Sequence, residues 1–494
     1  MVGDNLQSIR WFLPETILIV AVMAVILWDL FAPRMRAQGA AGIAIAALLS
    51  SAVLGFVQMR HDPRTIFEGL VAYDPFANFF KAFFGAVTAL IVVFSMSTTE
   101  AGGGRSKGKG AGEFYSLLLV ITLGMDLMAS ARNLLMLYLS LEIVSVLSFV
   151  MVGLRSADKR SSEASLKYVI FGGASSGVML YGMSWLFGLS GSLSLPAIYE
   201  AVRAPASSEA VFVAVICVFA GIGYKISAAP FHMWAPDVYE GAPTPVTAFL
   251  SVGPKAAGFA MLLRFFSDGL GANDPGGQEG LPWAVVGGIV AALTMTIGNF
   301  SALGQKNMKR LLAFSSIAHA GYMLMGFSVF SDLGMRAIVF YIAVYCVMNV
   351  GAFLVVHVVA EETGSEDISA FDGLGARAPL LAIAMAVFLF SLTGLPPLAG
   401  FVGKVYLFAS LVKVGGTGYM TLALIGILNS VVSLFYYARV LRAMFLTKGK
   451  TAAALPVSRT YGYMLAGLVV PTVVLGLYWP PLFDLVDASL TFVR

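Results

Sequence analysis

Seven ionisable side chains stand inside or beside long apolar runs, and their types suit them to passing protons. Glu142 lies in LYLSLEIVSVLSFV and Lys225 in FAGIGYKISAAPFHMWAPDVYEGAP. Lys255 lies in FLSVGPKAAGFAML, His319 in FSSIAHAGYMLMG and Lys404 in FSLTGLPPLAGFVGKVYLFA. A charge at the centre of a bilayer costs about 2.5–3.5 kcal/mol on insertion scales, so each of these needs a partner or a task. For Glu142 the task is proton exchange with a lysine; the competing account is a glutamate held by a partner only for packing. For Lys225, desolvation disfavours the charged ammonium and a carboxylate neighbour favours it, so a change in that neighbour moves the proton. Snorkelling to a surface explains Lys225 poorly, because apolar residues flank it on both sides and a break follows at Pro230. His232 follows Lys225 by two helical turns; histidine titrates nearest neutrality and suits a relay, and it suits capping a broken helix equally well. Lys167 is the weakest of the seven, since it stands only a few residues from the charged loop Arg155–Arg160.

The elements that must position these groups follow from hydropathy. A span needs about 20 mostly apolar residues. That rule predicts helices near 11–31, 38–58, 74–97, 113–130, 132–154, 161–190, 209–240, 243–268, 281–303, 308–330, 335–360, 378–413, 417–446 and 459–485. The segments 209–240 and 378–413 exceed one straight crossing and carry Pro230 with Pro236, and Pro396 with Pro397, so both read as broken helices. A break frees backbone carbonyls and makes room for water at membrane depth. The expected fold is therefore an all-α polytopic membrane protein of about fourteen transmembrane helices.

The predicted organisation is three helices and a cytoplasmic loop over 1–112, a five-helix repeat over 113–268, a second over 281–446 and a C-terminal helix over 459–494. Five helices are an odd number, so the second copy starts on the opposite side and the repeats are inverted. Each has its broken helix in fourth place. The first break has Lys225 ahead of it and the second has Lys404 behind it, as inversion requires. His319 falls on the repeat counterpart of the helix that bears Glu142. Water between these groups would complete a lateral proton wire.

Composition agrees and removes other classes. The chain has 494 residues, 59% hydrophobic and 12% charged, where soluble domains carry about 25% charged. Its net charge of +4 and the absence of a basic tract give no reason to invoke nucleic acid. The cysteines, Cys217 and Cys346, stand apart in apolar stretches, which disfavours iron–sulfur or structural zinc sites. Neither a Gly-x-Gly-x-x-Gly turn nor a P-loop occurs, so no tightly held redox or nucleotide cofactor is expected in this chain. The first apolar run continues to about Phe31 without a small-x-small cleavage site and reads as a retained helix.

Other intramembrane charges read as structural. Lys81 and Arg439 are expected to snorkel from span ends, and Asp126 to pair with Arg132. The many Phe, Met and Gly residues are expected to pack helices and fill lipid-facing surface. Lys and Arg concentrate after odd-numbered helices: Arg34 and Arg36; Arg105, Lys107 and Lys109; Arg155, Lys159 and Arg160; Lys306, Lys309 and Arg310; Lys448, Lys450 and Arg459. Those loops are expected in the cytoplasm, with both termini on the periplasmic side.

The stretch YKISAAPFHMWAPDVYEGAPTPV, and again TGLPPLAGFVGK, resembles the antiporter-like membrane subunits of respiratory complex I and the related Mrp cation/proton antiporter subunits. The likeness runs from about the third predicted helix to the thirteenth. It implies that Glu142 and Lys225 form a coupled pair in a first half-channel, that Lys255 connects, that Lys404 belongs to a second half-channel, and that Lys167 modulates the pair. Within the complex I group, Lys404 argues against the subtype with glutamate at that position. A chain ending at Arg494 argues against the longest subtype, which leaves the third, in a bacterial form. The resemblance further implies FMN, iron–sulfur clusters, NADH and quinone in partner subunits. It implies a neighbouring antiporter-like subunit and small membrane subunits as partners, in the bacterial inner membrane.

Overall fold

The computed structural model describes residues 8–32, 36–98, 110–202, 208–271, 283–449 and 453–492. Residues 101–109 of the expected cytoplasmic loop, with Arg105, Lys107 and Lys109, and also Arg34 and Lys450, lie outside the described residues. The chain is α-helical: α1 Leu13–Phe31, α2 Arg36–Gln58, α3 Pro75–Ser95, α4 Ala111–Ser130, α5 Leu134–Val152, α6 Lys159–Ser190, α7 Leu195–Val202, α8 Ser208–Ile226, α9 Trp234–Gly241 and α10 Thr244–Leu270. There follow α11 Trp283–Leu303, α12 Met308–Ser328, α13 Asp332–Thr363, α14 Leu374–Arg377, α15 Pro379–Thr393, α16 Ala399–Val414, α17 Thr417–Leu446, α18 Arg459–Leu477 and α19 Pro480–Ser489. Thirteen of the described helices are long and apolar enough to cross a membrane. The one expected crossing not among them, the twelfth at 378–413, is divided between α15 and α16, of 15 and 16 residues, each short of the ~20 a straight span needs.

Both anticipated breaks are present. Helix α8 stops at Ile226 and helix resumes at Trp234; α15 stops at Thr393 and helix resumes at Ala399. Pro230, Pro396 and Pro397 lie in these gaps and cannot donate an amide to a continuing helix. A third interruption was not anticipated. The segment 459–485, expected as one helix, ends at Leu477 and is followed by α19. Pro480 and Pro481 explain it, because proline drives the residue before it out of helical geometry.

The chain divides into two compact units. One comprises Met1–Ile226, Gly253–Leu281 and Asp487–Arg494. Within it α1 to α4 pack together and α6 lies along α8. Its small antiparallel hairpin, β1 Arg64–Ile66 with β2 Val71–Tyr73, was also not anticipated. Ile66, Val71 and Tyr73 of the hairpin bury against Trp11, Phe12 and Met136. Local capping starts α3: the Asp74 carboxylate accepts the Ala77 amide at 2.8 Å, and Pro75 opens the first turn.

The other unit comprises Ser227–Val252 and Pro282–Val486. Its α11 and α12 form the most extensive helix pair, and α12 and α13 are its buried helices. Helix α17 is the contrary case, with Leu424, Leu428, Val431 and Phe435 all exposed, as a lipid-facing helix requires.

Candidate proton-transfer site

In the first unit, Glu142 is the ninth residue of α5 and half-buried, and its carboxylate accepts a short hydrogen bond from the Ser176 hydroxyl of α6. Lys225 is buried at the last turn of α8 and donates to Ser145 Oγ at 3.0 Å. Ser145 stands three residues after Glu142, one turn along the same face of α5. The carboxylate and the ammonium interact electrostatically, with the serine hydroxyl as the direct contact of the lysine. In the break, where the second unit begins, the Ala229 amide donates to Thr294 Oγ1 of α11 at 2.9 Å. Ser227, in the break, has φ of +60° and a fully buried side chain. Lys255 is buried on α10, one turn before Gly258, whose missing side chain leaves room for the Lys225 stem.

In the second unit, Lys404 is buried near the start of α16. Its ammonium donates to the Thr393 carbonyl at 2.8 Å and to Ser430 Oγ at 2.9 Å. The Thr393 carbonyl is available because the helix ends there and has no downstream amide to take it. Gly394 makes the approach fit: its φ is +89°, and a Cβ there would sit 2.8 Å from Lys404 Cδ. Ser430 also donates to the Tyr322 hydroxyl at 3.3 Å, and the ammonium lies 4.4 Å over the Tyr322 ring. His319, buried mid-way along α12, shares a hydrogen bond of 2.8 Å between Nδ1 and the Tyr341 hydroxyl. Its ring centroid is 5.8 Å from that of Tyr322 and 5.2 Å from that of Tyr345. Tyr437 lies 3.5 Å from Nε2 and bonds Ser315 by a short contact.

Within its own unit, then, the structure brings Glu142 and Lys225 to one serine-lined face, and places Lys404 and His319 each against the ring of Tyr322. His232 is buried in the first break, and its carbonyl takes the Ala235 amide at 3.0 Å, so its backbone caps α9. Lys167 is partly exposed and reaches Glu163 on its own helix at 2.8 Å.

Three expectations are corrected. Lys81 does not snorkel: it is fully buried and lies 2.7 Å from Glu15 of α1. Asp126 does not pair with Arg132, which instead faces Asp268 at 3.7 Å. Arg439 turns inward, donating to the carbonyls of Leu303 at 2.7 Å and Gln305 at 2.5 Å, where its charge satisfies the orphan end of α11. The tyrosines around His319 and Lys404 went unrecognised as polar partners, because an aromatic in an apolar helix reads as packing until its hydroxyl's neighbour is known. The bidentate Arg264–Asp74 pair, at 2.6 and 2.9 Å and wholly buried, was likewise not foreseen. No group of three or more histidine, cysteine or acidic residues suited to a metal ion occurs among the described residues.

A bundle of broken and continuous spans with lysines seated at the breaks is the architecture of an antiporter-like, ion-translocating membrane subunit. The family model for the NADH:quinone oxidoreductase/Mrp antiporter transmembrane region matches residues 131–433. A Sorangium cellulosum protein named NADH-quinone oxidoreductase subunit N 2 is 53% identical over 99% of both chains. A chain of respiratory complex I from Thermus thermophilus, solved with bound aureothin, aligns at a TM-score of 0.79 and 31% identity, covering 96% of this chain and 99% of that one. A chain of the Mrp complex from a Dietzia species aligns at a TM-score of 0.82 over 97% of each, but at 19% identity, and this shows a common fold alone. The chain belongs to the family of NADH-quinone oxidoreductase subunit N.

Proposed function

We propose that this chain is the proton-translocating N-type membrane subunit of an NADH–quinone oxidoreductase, in which electron transfer runs in other subunits. The carrying observation is that at both of the anticipated helix breaks a buried lysine places its ammonium on a serine hydroxyl, Lys225 on Ser145 and Lys404 on Ser430. A lysine held by a neutral hydroxyl and only loosely by a carboxylate is free to give up and retake its proton as the local field changes. Glu142 supplies that field for Lys225. Lys255 extends the lysine series in the first unit. His319, with Tyr322 and Tyr341, gives Lys404 a titratable neighbour in the second. His232 and Lys167 are assigned supporting places, in the break and beside the charged loop.

The partners this implies are a neighbouring antiporter-like subunit, small membrane subunits, and subunits holding FMN, iron–sulfur clusters, NADH and quinone. The location is the bacterial inner membrane, with lysine- and arginine-rich loops in the cytoplasm and both termini outside. The repeats are proposed to run over 113–268 and 281–446. Full-length likeness to complex I subunits at 53% and 31% identity, against 19% for Mrp, favours this reading over a free-standing cation/proton antiporter.

The test is proton uptake into inverted vesicles per NADH oxidised, in strains carrying Lys225→Ala or Lys404→Ala. Both are expected to lower the ratio while the complex still assembles on native gels. Normal pumping by fully assembled complexes of both variants would defeat the relay.

A further inference from the structure

The N-terminal helices α1 and α3, which precede the two repeats, bury a charge cluster together with α4. Glu15 of α1, Lys81 of α3 and Asp126 of α4 are each 0% exposed. Lys81 Nζ is 2.7 Å from Glu15 Oε1. The Asp126 carboxylate interacts electrostatically with both, and neither of its oxygens has a hydrogen-bond partner. Other ionisable groups nearby do not balance it. Between residues 37 and 58 helix α2 carries no ionisable side chain. On α3, Asp74 is engaged by Arg264, and on α5 Glu142 is engaged by Ser176. Tyr73 of the hairpin, which feels the Glu15 charge, is pushed up to about 12 chiefly by burial and stays neutral, donating to the Gln58 carbonyl at 3.3 Å.

The charge count is therefore two carboxylates against one ammonium. One uncompensated negative charge in a fully enclosed apolar setting is expensive, and a proton on one carboxyl removes it. That proton also turns an acceptor-only carboxylate into a donor. Two acids beside a single cation share a proton for the same reason that paired catalytic carboxylates do.

We propose that Glu15, Lys81 and Asp126 form a buried proton-binding site, holding one exchangeable proton between the two carboxyl groups. Trp11, Phe12 and the β1–β2 hairpin pack at the start of α1 beside it, with Arg64 4.0 Å over the Trp11 ring. One turn along α4 from Asp126, Thr122 meets Thr88 of α3 at 2.9 Å, a hydroxyl pair next to the site.

Infrared difference spectroscopy of the assembled complex, between two pH values, reads this directly. A protonated-carboxyl band that bleaches as the pH rises is expected in the unaltered complex, and Asp126→Asn should remove its contribution. Lys81→Met strips the cation that pairs with Glu15, so two carboxyl protons are then required and the band should grow to about twice its size. A band unchanged in both variants would overturn the site. Where Asp126→Asn does not assemble, Lys81→Met decides by the same measure: growth supports the shared proton, and no growth refutes it.

Discussion

At the scale of single residues, the hydroxyls next to the lysines matter as much as the lysines. Ser145 is the acceptor that holds Lys225 one turn from Glu142. A hydrogen bond to a charged group is worth about 1.5–3 kcal/mol, so Ser145→Ala is expected to cut NADH-driven proton uptake roughly tenfold while leaving assembly intact. Vesicle pumping assays beside native gels check both halves of that statement. Arg264 makes a different case. Removing it strands the fully buried Asp74 carboxylate, so Arg264→Met should cost about 3–5 kcal/mol, seen as a lower melting temperature or loss of the subunit from the complex. Restoring neutrality with Asp74→Asn in the same chain should recover most of the loss; failure to recover would show that the arginine acts through something other than charge balance. The sequence made Glu142, Lys225, Lys255, His319 and Lys404 visible because an ionisable group in an apolar run is costly wherever it points. It misled at Lys81, where closeness to a span end suggested escape to water, and at Asp126, where Arg132 nearby in the chain suggested an ion pair. Burial there depends on α1 and α2 closing over α3 and α4, which is tertiary information.

At the scale of elements, two helix breaks position the lysines of the proposed relay, and proline made both legible. Proline explains why α15 stops, but only the structure shows what the stop accomplishes: the Thr393 carbonyl is left for Lys404. Gly394 allows both at once. Gly394→Ala would force a non-glycine residue to φ of +89° and press its methyl to 2.8 Å from Lys404 Cδ. The left-handed conformation alone costs about 1–2 kcal/mol, and displacing Lys404 from Thr393 adds a functional loss. Pumping should fall well below that of the unaltered complex, whereas Gly418→Ala, with open space around it, should behave as wild type. Equal behaviour of the two would remove Gly394 from any special role. The missed break at 478–479 follows the same rule, since Pro480 and Pro481 were in plain view; a short helix after it had no periodicity long enough to show. The hairpin over 64–73 was hidden for a related reason, because two strands of three residues each leave no pattern distinguishable from a loop.

At the scale of the whole molecule, the question is which cation the chain moves, because its fold is shared with Mrp complexes. The buried groups answer it chemically. Lys225, Lys255 and Lys404 present buried ammonium donors with no lone pair while charged, a chemistry suited to holding a proton rather than a metal ion. Hard cations bind through several oxygen ligands, carboxylates foremost. Glu142 is the one carboxylate in the proposed relay; it accepts from the Ser176 hydroxyl and lies in the field of Lys225. A sodium ion brought there would meet a lysine charge at close range, an unfavourable exchange for losing its water. Proton uptake driven by NADH should therefore be the same in vesicles with sodium replaced by choline as in sodium-containing buffer, and radioactive sodium should not accumulate during turnover. Stimulation by sodium, or its uptake in step with NADH oxidation, would instead require an oxygen-lined path through this chain and would move the reading to the cation/proton exchangers whose fold it shares.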